Sequence, residues 1–89
     1  MSVVRPTANL DVAGAQKLEK ELVTAVPTDG ELIIDLSACK FVASSGLRVL
    51  LKSAQRLSRE GADLVIIGAS DTVREVLKVS GFDRVVTVR

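Results

Sequence analysis

The segment Ala43-Ser44-Ser45-Gly46-Leu47 holds the residue types best placed to do chemistry. Two hydroxyls and a glycine stand where the apolar pair Phe41-Val42 gives way to an apolar-striped helix. A serine at such a place has two compatible readings. As an N-cap, Ser44 or Ser45 would accept a hydrogen bond from an N–H two or three residues on. As a switch, it could carry phosphate, because the free N–H groups and the positive dipole end stabilise an added charge of about −1.5 to −2. Gly46 leaves room for a close backbone approach. Arg48 follows Ser44 by one helical turn, so it could pair with an acidic partner or a phosphate.

Other chemistry is thin. Ser37-Ala38-Cys39-Lys40 matches the S-x-x-K nucleophile pattern of some large hydrolases, a chance match in a chain of 89 residues. Cys39, the single cysteine, reads as a small apolar filler and can form no internal disulfide. Asp35 interrupts an apolar run, which is the mark of a strand-end hydrogen bond or of a site. The chain has no histidine, so His-based triads and His-metal sites are absent. There is no GxxxxGK[ST] loop and no GxGxxG, which argues against a small nucleotide-binding domain. No catalytic residue, metal ligand or cofactor is expected. A net charge of +1 gives no electrostatic footprint for nucleic acid or an anionic membrane. Phe41 and Phe82, the two aromatics, give no stacking platform for bases.

The elements that must hold this segment follow from periodicity. Hydrophobic residues at 47% and charged residues at 26% describe an ordinary globular domain rather than a disordered one. Val3-Val4 is a short strand stopped by Pro6. Asp11 reads as the N-cap of a first helix, predicted over 12–25, with Ala15, Leu18, Leu22 and Ala25 on one face. Pro27 and Thr28-Asp29-Gly30 end it. A strand over 31–36 follows. Leu47, Leu50, Leu51, Ala54 and Leu57 stripe a second helix over 46–59, in which both Leu50 and Leu51 are expected to be buried. A strand over 63–67, a helix over 71–79 with Val73, Val76 and Leu77 inward, and a strand over 84–88 complete the chain. Strands alternating with helices predict parallel pairing through right-handed crossovers. Periodicity leaves open whether the helices share one face of the sheet. The fold class is therefore α/β, a mostly parallel sheet of about four strands with three helices.

The run from Leu32 through Ser37 and on from Phe41 through Leu51 resembles the STAS domain family. That family reads as a "DLS" strand end followed by "DSSGL" opening a helix. Val73 through Val85, with Ser80-Gly81-Phe82, is similar to the family's last helix, its "SGF" stop and the next strand. Ala8-Asn9-Leu10-Asp11 resembles the family's "GELD". The resemblance covers almost the whole chain in the right order. It implies an anti-sigma factor antagonist: a protein that binds an anti-sigma factor that is also a serine kinase, is released by phosphorylation of one serine, and is restored by a serine phosphatase. The family's phosphorylated serine falls on Ser44. The implied partner surface comprises Asp11, Ser44, Ser45, Gly46 and Arg48.

The sequence departs from the family at three places. Ala43 replaces the usual Asp before the serine, as in members that read "SSAGLR". Ala8 replaces the glycine of "GELD". The family's first strand and C-terminal helix have no counterpart, so a homodimer through a sheet edge or an uncovered face is expected. The alternative readings are a non-switching docking subunit of a lipid-transport or stressosome-like complex, and a minimal or engineered scaffold. With no membrane span and no signal-peptide pattern, the expected location is the cytoplasm.

Overall fold

The computed structural model describes residues 3–89. The elements run β1 (Val3–Val4), α1 (Val12–Thr24), β2 (Glu31–Asp35), α2 (Ser44–Arg59), β3 (Asp63–Ile67), α3 (Asp71–Val79), a 3₁₀ turn (Phe82–Arg84) and β4 (Thr87–Val88). All pairings are parallel, and the sheet order is β1-β2-β3-β4. In a sheet ordered this way, right-handed crossovers that step in one direction put every helix on one face. A single apolar core agrees: Leu18 and Leu22 of α1, Leu50 and Leu57 of α2, and Val73 and Leu77 of α3 join Leu32, Ile34, Leu64 and Ile66 of the sheet. This settles the question periodicity left open.

The opposite face is closed differently. Ile33 and Val65 are partners in register and buried, yet lie outside that core. Alternation puts them on the other side of the sheet from Leu32 and Leu64. Two ion pairs stand at either end of this face: Arg5 Nε to Asp35 at 2.9 Å, and an Arg89 Nη to Glu31 at 2.9 Å. They tie the segments at both edges to β2.

Four expectations need correction. The second helix begins at Ser44 rather than two residues later. Its cap position is Ala43, so neither serine is the N-cap and no side chain caps the helix. The last strand is confined to Thr87–Val88, because Phe82–Arg84 tightens into a 3₁₀ turn that buries Phe82 in the core. Leu51 is only half-buried, while Leu50 is fully buried; the buried face runs through Gly46, Leu50, Ser53 and Leu57, and Leu51 lies beyond its edge. Among the described residues, both edge strands, β1 and β4, are two residues long. Such short edges offer little template for pairing with another chain. Among the described residues, no helix is long and apolar enough to cross a membrane.

Candidate functional site

The serine pair sits on a ledge built from two distant stretches of chain. Asp11 caps α1, its carboxylate accepting from Gly14 N–H at 2.8 Å, as expected. The residues just before it are laced to those just before α2. Lys40 N–H donates to Asn9 Oδ1 at 2.7 Å, Leu10 N–H to the Phe41 carbonyl at 3.1 Å, and Ala43 N–H to the Leu10 carbonyl at 2.8 Å. The Cys39 thiol donates to the Ala8 carbonyl at 3.1 Å. Leu10 and Val42 form a parallel bridge and are both buried. The start of α1 and the start of α2 are therefore held side by side, with Asp11 one residue from Leu10 and Ser44 one residue from Ala43.

Ser44 occupies the first helical position of α2 and is exposed. With Ala43 as cap, no side-chain oxygen occupies the N–H groups of the first turn. They face outward together with the positive end of the helix dipole. Arg48, also exposed, lies one turn on and forms no ion pair among the described residues. Ser45 is half-buried, and its hydroxyl oxygen is buried without a hydrogen-bond partner.

Gly46 has a different role from the one expected. It is buried, and a Cβ built on it would lie 2.8 Å from Leu10 Cβ, 3.0 Å from the Leu10 carbonyl oxygen and 3.2 Å from Val42 Cγ1. The close approach it permits is by Leu10 of the same chain. Gly46 therefore shapes the ledge from beneath, and a partner laid on the surface would not reach it.

The remaining candidates are structural. Asp35 Oδ1 accepts from Ser37 N–H at 2.9 Å, the strand-end hydrogen bond read from its position. The Arg5 guanidinium, and then the Ser37 N–H, hold the Asp35 carboxyl down at about 2. Gly68, at φ 72°, packs against this carboxylate, where a Cβ would meet Oδ1 at 2.5 Å. Cys39 is buried and free, and burial raises its thiol pKa. Ser37 and Lys40 are exposed and share no hydrogen bond, so the S-x-x-K match assembles nothing. Among the described residues, no cluster of His, Cys, Asp or Glu could hold a metal ion.

Comparison with known proteins fixes the family. A sequence model of the STAS domain matches residues 1–89. The chain belongs to the STAS domain family. One relative is BtrV of Bordetella bronchiseptica, provisionally named an anti-sigma factor antagonist, which is 37% identical over 71 residues. That match takes in 79% of this STAS chain and 61% of BtrV, so the chain spans about three fifths of its relative's length. Solved structures share the fold. A Thermotoga maritima protein, also provisionally named an anti-sigma factor antagonist, superposes with a TM-score of 0.81 at 22% identity over 97% of this chain and 77% of its own. The STAS domain of a Vibrio cholerae SulP transporter gives 0.76 at 23% identity, over 98% and 70%. The anti-sigma factor antagonist SpoIIAA in its unphosphorylated form gives 0.67 at 21% identity, over 93% and 86%.

Proposed function

We propose that this STAS domain is an anti-sigma factor antagonist that binds an anti-sigma factor with serine-kinase activity and is switched off by phosphorylation of Ser44. The observation that carries the reading is the exposed Ser44 on the uncapped first turn of α2, beside the Asp11 ledge, in a chain 37% identical to BtrV over 71 residues. Ser44, the half-buried Ser45, Asp11 and Arg48 form the contact surface. Leu10 and Gly46 hold its shape from below.

The physics of the switch is electrostatic. A phosphoryl group on Ser44 brings about −1.5 to −2 charges. In the free protein that charge is stabilised by the open N–H groups of the first turn and by Arg48. In a closed interface it must be desolvated, which costs several kcal/mol unless the partner supplies a cation. Phosphorylation thus favours the free form, and a serine phosphatase would restore binding.

A second reading has an observation of its own. Ala43 stands where the family's acidic residue would precede the serine, and the fold is shared with transporter STAS domains. On that reading the domain only docks within a larger complex.

The two are separated by Ser44→Ala and Ser44→Asp. Because Ser44 is not the cap, Ser44→Ala should change stability by no more than about 0.5 kcal/mol. Ser44→Asp places a negative charge in the first turn, where the dipole favours it, so the domain stays folded. The switch reading expects Ser44→Ala to bind the cognate anti-sigma factor and Ser44→Asp to bind it much more weakly. It also expects intact-mass analysis to show one phosphate after incubation with that kinase and ATP, none on Ser44→Ala. Equal binding by both variants, with no phosphate on the wild type, leaves the docking reading.

A further inference from the structure

We propose that the groove between α1 and α2, which Ser44 does not line, is a binding site for a small phosphorylated molecule with a short aliphatic body. The proposal rests on the groove itself and does not depend on the anti-sigma reading. The groove has a volume of about 630 Å³, in the range of small-ligand sites. Its apolar side is supplied by Leu22 and Val23 of α1 and Val49 of α2. Four cations line it, Lys20, Lys52, Arg56 and Arg59, against one acid, Glu19. That concentrates positive charge in a protein whose net charge is only +1.

Two hydrogen-bond donors in the groove lack acceptors. Arg56 Nε is buried without a hydrogen-bond partner; the nearest carboxylate, on Glu60, stands 3.7 Å away. Ser53, 8% exposed, lines the groove, and its hydroxyl makes no hydrogen bond among the described residues. Buried donors are nearly always satisfied, so the unpaired Arg56 Nε, with the unbonded Ser53 hydroxyl in the same groove, points to oxygens that arrive with a ligand. Lys52, Ser53 and Arg56 lie within about one turn of α2, a compact grouping of ammonium, hydroxyl and guanidinium donors. A phosphoryl group, with three acceptor oxygens at one point, fits such a grouping. A partner helix laid in the groove would instead distribute its acids along the full length. Lys52 is held by Glu19 at 3.2 Å in an exposed pair, and exchanging that partner for phosphate is nearly free of cost.

The test is an amide chemical-shift titration at 150 mM NaCl with inorganic phosphate and with butyl phosphate. Both should shift residues 19–23 and 49–59. Butyl phosphate should bind at least about threefold more tightly, because Leu22, Val23 and Val49 take the alkyl chain. Arg56→Gln should weaken binding about tenfold and Ser53→Ala about threefold, while Lys78→Gln on α3 leaves it unchanged. Removing a hydroxyl that makes no hydrogen bond does not threaten the fold, so Ser53→Ala keeps the test readable. Shifts spread over all lysines and arginines, or variants that bind like the wild type, overturn the proposal. A ten-residue poly-glutamate peptide that binds the same residues more tightly than butyl phosphate also overturns it, in favour of an acidic protein segment.

Discussion

Replacing Gly46 by Ala tests how the two halves of the ledge are joined. The added methyl would stand 2.8 Å from Leu10 Cβ and 3.0 Å from the Leu10 carbonyl oxygen. Neither atom is the far end of a flexible side chain. Leu10 is also pinned by its backbone hydrogen bonds to Phe41 and Ala43, so relief requires the bridged strands of the ledge to part. Overpacking of this kind costs about 1–3 kcal/mol. Ala gains back about 0.5–1 kcal/mol over Gly inside a helix. The net expectation is a loss of about 0.5–2 kcal/mol. With a slope of about 1–2 kcal/mol/M for so small a domain, the urea midpoint should fall by roughly 0.3–2 M. Ser58→Ala, an exposed position late in the same helix, is the control and should move the midpoint little. The amide resonances of Ala8–Asp11 should shift in Gly46→Ala and stay in place in the control. A midpoint that rises, with those resonances unmoved, would refute the packing of Leu10 beneath the first turn of α2.

Other expectations concern the core, the caps and the titrating groups. Leu50→Ala should cost about 2–5 kcal/mol by denaturation, and Leu51→Ala clearly less, since only Leu50 is fully buried. Asp11→Ala removes the α1 cap and should cost about 0.5–2 kcal/mol in the same assay; no change would mean the Gly14 hydrogen bond contributes nothing. Asp35 titrates at about 2 when folded and near 4 when unfolded, so its stabilising effect is complete above about pH 4 and is lost as pH falls through 2. Asp35→Asn should therefore flatten the stability profile in that window, and an unaltered slope would count against the Arg5 pair. Native Cys39 should react far more slowly with a thiol reagent at neutral pH than the urea-unfolded chain does, because it is buried and its pKa is raised.

What the sequence disclosed was what local pattern encodes. The apolar spacing of Ala15, Leu18 and Leu22, and of Leu50, Ala54 and Leu57, located the helices and their inward faces. Asp11 announced its cap through residue type, and it accepts the expected first-turn hydrogen bond. The second helix misled because serine is a strong capping residue and Ala43 is not. There the backbone bond from Ala43 to Leu10, a contact across 33 positions, set the helix start. Val85-Val86 misled for a related reason: β-branched residues favour strands, but with Phe82 buried the chain tightens into a 3₁₀ turn over Phe82–Arg84 just before them. The role of Gly46 and the cationic groove both depend on long-range neighbours. No spacing within one helix reveals that Lys20 lines one groove with Arg56.

The sheet order bears on how the domain is born. Each strand pairs with the one synthesised just before it, so every crossover unit can close as soon as its second strand leaves the ribosome. Glu31 waits about thirty residues for its partner Asp63, which at about 5–20 residues per second is a few seconds of translation. During that interval β2 has an open edge and its apolar residues are uncovered by α2 and β3. The hazard for aggregation thus falls in one brief window midway through synthesis, and ribosome pausing between positions 36 and 63 would lengthen it.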